Sequence, residues 1–370
     1  MAGIYVHIPF CARRCIYCGF FSTMREAEAA RYVKALCAEL VQRKDYLAGA
    51  PVRTLYFGGG TPSRLSPEQI GQVIDCIRTV HGFKNLEELT VECNPDDIST
   101  QYVTALCASG VNRISMGVQT FNDDLLHFLG RRHTAAQAIS AVNTCLESGI
   151  TNISIDLMYG LPGQTPDIQQ NDLETATNLD VQHISSYCLS YEEGSPLERL
   201  RNDGRITAVD DDTCAQMYDR MCTHLSNAGF IHYEISNFSK PGYYSRHNSS
   251  YWDGTPYLGI GAGAHSYNGI SRQWNPNDLD AYLTGIEQGT PVFEIEQLSA
   301  TDQYNERIML SLRTAQGLSL TLLNPQDRLL LLQSADAMLN KGILVIENNH
   351  LRIPEQQMFI SDSIISSLFK

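Results

Sequence analysis

Positive charge is scarce in this 370-residue chain: 27 Lys and Arg stand against 41 Asp and Glu, a formal net charge of −14. That deficit argues against a broad phosphate-binding face, and so against nucleic acid as the main partner. Acidity of this size serves solubility. Also missing is any apolar run near the ~20 residues needed to span a bilayer; the longest leucine run is Leu329 to Leu332. Met1-Ala2-Gly3 runs into an apolar stretch without the basic segment and long apolar core of a signal peptide. The eleven cysteines are odd in number and form only one tight cluster, so a disulfide framework is not expected and a reducing compartment is. The expectation is a cytoplasmic protein that is not integral to a membrane. Its length allows two domains, or one large barrel with an appendage.

The tight cluster is the strongest local signal. Ile4 to Ile8 reads as a strand ended by Pro9, and Cys11, Cys15 and Cys18 come next in one loop, spaced C-x3-C-x2-C. Thiolates suit zinc or iron–sulfur clusters. Three of them cannot complete a four-cysteine zinc site, and no further Cys or His is present at finger spacing. A zinc-bound scaffold is kept as an alternative. A four-iron cubane could take three thiolates and leave one iron open to a small molecule.

Downstream, strand and helix patterns alternate. Strands are expected at 54–57, 89–92, 112–116, 152–157, 183–189 and 231–235, separated by amphipathic helices. Two of those helices carry capping boxes, Ser66 with Gln69 and Thr134 with Gln137. Such repetition means a parallel sheet with crossover helices. About 235 residues suit an incomplete α/β barrel better than a full one of ~250, with an open doubly wound sheet as the alternative. In barrels, chemistry gathers at the C-terminal strand ends. The three thiols come after the first strand here, and Gly58-Gly59-Gly60-Thr61-Pro62 after the second. Glu92 ends the third, Gln119 lies just past the fourth, and Asp156 sits near the end of the fifth. The glycine run is not a Walker loop, since it lacks the Gly-Lys-Ser/Thr ending; its backbone can approach a ligand closely. Glu92 and Asp156 suit ribose hydroxyls, and Arg131 suits a carboxylate.

From Lys240 to Pro291 periodicity fades, and a long irregular excursion is expected. It holds His247-Asn248-Ser249-Ser250-Tyr251-Trp252. A neutral imidazole on an exposed loop there could ligate haem iron, with flat faces from Tyr251 and Trp252. Gly259-Ile260-Gly261-Ala262-Gly263-Ala264-His265 reads superficially as a dinucleotide fingerprint. With no clear strand before it and no helical pattern after it, that reading is rejected. His265 is a second candidate iron ligand. From about Ala300, two helices and a hairpin turning at Asn348-Asn349 resemble a winged helix, with a last helix running to Lys370. Few basic residues fall there, so a packing role is expected rather than DNA binding. The expected units are 1–238, a connecting segment 239–298 and a C-terminal domain 299–370.

Taken together, the cysteine loop, the glycine turn, Gly117-Val118-Gln119-Thr120-Phe121 and Asp156-Leu157-Met158-Tyr159-Gly160-Leu161-Pro162-Gly163-Gln164-Thr165 resemble the radical S-adenosylmethionine (SAM) superfamily. The resembling subgroup includes the oxygen-independent coproporphyrinogen III dehydrogenase. The resemblance implies an incomplete (β/α)6-type barrel with a small C-terminal winged-helix-like α+β domain. It also implies a [4Fe-4S] cluster on Cys11, Cys15 and Cys18, whose open iron binds the methionine end of SAM; an electron from the cluster then breaks a carbon–sulfur bond of SAM to give a 5'-deoxyadenosyl radical. Tyr5, Gly59 and Glu92 match residues that contact one SAM. Tyr17, Gly60, Thr61, Gln119, Arg131, Asp156 and Ser190 match contacts to a second. Two departures from the dehydrogenase stand out: Phe20 replaces a further cysteine, and an N-terminal extension is expected to be missing. The H-N-x-x-Y-W string resembles instead the haem chaperone branch, HemW. That resemblance implies haem bound through His247, Tyr251 and Trp252 and passed to an acceptor protein, with porphyrinogen decarboxylation as the alternative.

Overall fold

The computed structural model describes residues 1–370. Strand β1 (Ala2–Ile8) leads through the cysteine loop to α1 (Ala29–Gln42). Then come β2 (Val52–Gly59), α2 (Pro67–His81), β3 (Glu88–Cys93), α3 (Thr100–Ala108) and β4 (Arg113–Gln119). Two helices come after β4, a short α4 (Asp123–Leu129) that sequence pattern does not reveal and α5 (Ala135–Glu147). The series continues through β5 (Ile153–Tyr159), α6 (Pro166–Asn178), β6 (His183–Cys188), α7 (Pro196–Asn202) and α8 (Asp211–Asn227). β1 to β6 pair in chain order, all parallel. This is the expected six-stranded incomplete barrel, not a doubly wound order.

The expected seventh parallel strand is instead a hairpin. β7 (Ile231–Glu234) and β8 (Asn237–Ser239) run antiparallel, and β8 pairs antiparallel with β6. The larger correction concerns residues 240–291, which are not irregular. α9 (Arg246–Trp252) leads to β9 (Tyr257–Ile260), β10 (His265–Tyr267), β11 (Ser271–Trp274) and α10 (Leu279–Glu287). β9 joins the open side of β1 in parallel, and β10, β11 and β12 (Glu294–Gln297) continue the sheet antiparallel. The strands are too short to show a period in sequence. A strand, β9, does run into the glycines at 259–264, but the chain leaves them into strand β10 and not into a helix, so no dinucleotide turn forms.

Burial alternates along each barrel strand, as the two-residue strand period requires. Ile4, Val6 and Ile8 of β1 face the helix layer with no exposure, as do Leu55, Phe57, Ile114 and Ile184. The opposite face lines the lumen and is polar: Tyr5 and His7; Thr54 and Tyr56; Glu88, Thr90 and Glu92; Arg113 and Ser115; Asp156; Ser185 and Tyr187. One buried cluster joins barrel and C-terminal unit.

A buried polar knot fixes the sheet extension. Glu39 of α1, 1% exposed, accepts from the Gly261 N–H (2.8 Å), Tyr282 Oη (2.8 Å), Asn275 Nδ2 (2.7 Å) and Arg43 Nη1 (3.1 Å). Arg43 also donates to Ser266 and Gln273. The charges are paired and every carboxylate lone pair direction is served, which burial demands.

In the C-terminal unit, α11 (Ala300–Ser311), β13 (Leu318–Ser319), α12 (Pro325–Asn340), β14 (Val345–Glu347), β15 (His350–Arg352) and α13 (Ser361–Ser366) form the winged-helix-like pattern. Its sheet is three-stranded, with β15 between β13 and β14. Asn348 and Asn349 take φ of 48° and 63° at the hairpin tip, the left-handed pair such a two-residue turn needs. The last helix ends at Ser366, short of the expected Lys370. No helix is long and apolar enough to cross a membrane.

Candidate functional site

The three cysteines lie where β1 leaves the barrel, and none is in a disulfide. Cys11 is buried with its Sγ 3.3 Å from Thr61 Oγ1, which ties the thiol loop to the glycine turn. The Gly60 N–H donates to Ile8 O at 2.8 Å, and a Cβ on Gly60 would stand 2.8 Å from the Pro9 carbonyl carbon. Glycine is therefore required where the two loops touch. Cys15 Sγ lies 3.6 Å from Arg131 Nη1. Cys18 senses the charge of both other thiols, and burial raises its pKa, as it does for Cys11. Three thiols on one loop are one ligand short of a closed four-ligand zinc site and suit a four-iron cube with one open iron.

Around this loop the rim assembles most of the expected residues. Glu92 accepts from Tyr56 Oη at 2.7 Å and the Gly59 N–H at 3.2 Å. Burial pushes its carboxyl up to about 7, opposed by the Tyr56 hydrogen bond and helped by the Asp156 charge. Asp156 sits mid-strand on β5, deeper than expected, and burial pushes it up to about 6 against the Ser185 hydroxyl and Arg113. Gln119 is the last residue of β4, not beyond it, and takes φ of 73°, an unfavourable value for a residue with a side chain. Its amide lies beside Gly117, where a Cβ would meet Gln119 Nε2 at 2.9 Å and Arg131 Nη2 at 3.2 Å. Arg131 also donates to Asn94 Oδ1 at 2.8 Å and to the Gly117 carbonyl, while its Nε is buried without a partner. Tyr17 is packed beside Arg131, Cys15 and Cys18. Tyr5 Oη meets His7 Nδ1 at 3.2 Å, and Gly59 is held against the His7 ring. Ser190 is exposed beyond β6 and donates to Glu192, which abuts Gly19 of the cysteine loop.

Sequence reasoning missed Tyr56, His7 and Arg113. Arg113 is 1% exposed, and its Nε and Nη1 have no partner. It is a lumen cation whose charge holds Glu92 and Asp156 lower than burial alone would. The available signal was polar alternation within strands, as in Thr54-Tyr56-Gly58 and Arg113-Ser115-Gly117.

His247 is not on an exposed loop. It lies in α9, with no exposure, at the N-terminal strand ends, and closes the floor of the barrel. Its Nδ1 is 2.9 Å from Thr54 Oγ1 and its Nε2 2.9 Å from Tyr251 Oη. The rings of Tyr56 and Tyr5 stack over it at 5.1 and 6.4 Å. Burial lowers its pKa to about 3, so the ring is neutral. The aromatic series continues from Tyr251 to Tyr257 (4.7 Å) and Tyr267 (6.4 Å). Trp252 stands partly exposed outside that series. Far from the rim, Cys222, His232 and Glu355 form a second cluster of potential ligands, in which His232 pairs with Glu355 at 3.1 Å where barrel and C-terminal unit meet.

Comparison with known proteins agrees with this geometry. The radical SAM superfamily model matches residues 5–175, and the HemN C-terminal domain model matches residues 298–360. The chain is 34% identical to the haem chaperone HemW of Mycobacterium tuberculosis over 99% of this chain and 94% of that one. It is 38% identical to the Bacillus subtilis HemW over 86% of this chain and 85% of that one. The solved radical SAM enzyme coproporphyrinogen III oxidase (HemN) of Escherichia coli superposes with a TM-score of 0.85 at 23% identity, covering 100% of this chain and 90% of that one. Superfamily membership implies a [4Fe-4S] cluster and SAM, and the thiol loop with its glycine cradle fits both. The chain belongs to the HemW family within the radical SAM superfamily.

Proposed function

We propose that this chain is a haem chaperone that binds haem and passes it to an acceptor protein, while carrying a [4Fe-4S] cluster and SAM. The observation that supports this best is the make-up of the concave face: a charged, glycine-lined rim over three thiols, joined through Tyr56 and Tyr5 to an aromatic wall that begins at α9. Rim and wall suit different ligands.

Cys11, Cys15 and Cys18 are the residues proposed to hold the cluster, which when bound supplies one electron and an open iron to SAM. Tyr5, Gly59 and Glu92 would hold one SAM. Tyr17, Gly60, Thr61, Gln119, Arg131, Asp156 and Ser190 would hold a second. Glu92, once ionised, can accept from hydroxyl donors, and Arg131 can pair a carboxylate. On and beside the wall, His247, Tyr251 and Trp252 of α9, with His265, are the side chains proposed for haem.

The test uses full-length protein reconstituted anaerobically with iron and sulfide. Titration with haemin, monitored by visible absorption, is expected to show stoichiometric uptake. Incubation with SAM, reductant and coproporphyrinogen III is expected to give no protoporphyrinogen. Protoporphyrinogen formation with SAM consumption would overturn the reading.

A further inference from the structure

Two histidines border the aromatic wall, and their surroundings differ. His247 has both ring nitrogens engaged, by Thr54 and Tyr251, and no exposure. His265 is exposed, and neither of its ring nitrogens has a hydrogen-bond partner. The backbone explains its position. A Cβ on Gly259 would lie 1.9 Å from the His265 carbonyl oxygen, so the chain folds tightly back over β9.

Register then fixes which way the ring faces. Ser266 is 1% exposed and bonds Arg43 on the helix side of the sheet. Its neighbours His265 and Tyr267 therefore face the other way, toward the lumen side. On β11, Trp274 and Arg272 stand directly opposite His265 and Tyr267. The His265 and Trp274 rings are 6.2 Å apart and inclined by 27°, so the two present nearly parallel faces on the same side of the sheet. Partial burial and the Arg272 charge lower the His265 pKa, favouring the neutral ring that a metal ligand requires. Arg272 pairs with Glu306 at 3.0 Å and keeps its Nε unpartnered.

Resting on the haem-chaperone reading, we propose that His265, and not His247, is the side chain that ligates haem iron, with Trp274 and Tyr267 against the macrocycle and Arg272 taking a propionate. A ring nitrogen of His265 gives its lone pair to the iron in place of water, and no electron changes hands. His247 then serves as a positioning residue that fixes the floor under the wall.

The experiment is haemin titration of the full chain and of His265→Ala, His265→Gln and His247→Ala, read by the Soret band, with thermal melting as a fold control. His265→Ala and His265→Gln are expected to bind haemin at least tenfold more weakly with an unchanged melting temperature. Added imidazole is expected to restore the Soret position in His265→Ala. His247→Ala is expected to melt earlier while its haemin-bound Soret position stays that of the parent. Unchanged affinity and spectrum in both His265 variants would overturn the ligand assignment while leaving the chaperone reading intact. Failure of the parent chain to bind haemin would overturn the chaperone reading itself.

Discussion

The Glu88 carboxylate accepts the backbone N–H of His247 at 2.9 Å, and with its other oxygen that of Arg246 at 2.8 Å. One buried side chain of β3 thus satisfies two orphan donors at the start of α9, and its negative charge lies at the positive end of that helix. Sequence pattern holds no hint of this, because Glu88 and His247 are far apart in the chain and only closure of the sheet brings them together.

Removing that anchor should loosen the barrel floor. Glu88→Ala leaves the buried His247 N–H and the part-buried Arg246 N–H without their carboxylate, at a cost of about 2–4 kcal/mol. Urea denaturation is expected to show a lower midpoint. Glu88→Gln can satisfy only one N–H with its single oxygen, so its loss should fall about midway.

A larger loss is expected at Glu39. It accepts from Arg43 just past α1, Gly261 just past β9, Asn275 just past β11 and Tyr282 of α10 while 1% exposed. Glu39→Ala leaves Arg43 as an uncompensated buried cation, a change that costs about 3–5 kcal/mol. Glu39→Gln should recover part of this by keeping the hydrogen bonds. If Glu39→Ala melts like the parent, the knot is not what holds the sheet extension in place.

The parts legible in sequence are those with local signals. Capping boxes at Ser66 and Thr134 mark helix starts, and both form as read. Cys11, Cys15, Cys18 and the Gly58–Gly60 turn stand out because unusual residues recur at short spacing. What escapes is set by long-range pairing. β9 to β11 are three or four residues long, below the length at which alternation can be counted. The polar neighbours Asn248 and Ser249 suggest an exposed His247. In the fold, the ring instead lies beneath Tyr5 and Tyr56, two lumen residues of strands that read only as apolar runs.

The two lumen carboxyls make stability fall with pH. Glu92 and Asp156 are held at about 7 and about 6 in the fold, above ordinary carboxyl values, chiefly by burial. Between the unfolded and folded pKa values the native state binds more protons, so unfolding free energy decreases as pH rises from about 4 to about 7. The Glu92 share is on the order of 1–2 kcal/mol, reduced because its carboxylate faces the open lumen. Melting of Glu92→Gln across this range should be flatter than that of the parent. A parallel slope in both proteins would show that Glu92 does not titrate there. Arg113→Met, by removing the lumen cation, should push both carboxyls further up and steepen the loss.

Gly59 offers the sharpest test of the rim. Its φ is 111°, a value that side-chain-bearing residues rarely adopt, and a Cβ there would stand 2.5 Å from the His7 ring. His7 cannot simply turn away: its Nε2 bonds the Phe21 carbonyl at 3.1 Å, and Phe21 belongs to the segment that returns from the cysteine loop. Gly59→Ala therefore strains the backbone, at about 1–3 kcal/mol, and pushes on the loop that carries the thiols. The displaced N–H would also leave Glu92, freeing that carboxylate from the rim. The expected outcome is at least tenfold weaker SAM binding by isothermal titration and faster loss of the iron–sulfur absorption in air, with haemin affinity much less affected because the strain falls first on His7 and Glu92 of the rim. Equal weakening of haemin and SAM binding in Gly59→Ala would mean that the concave face works as one site, not two.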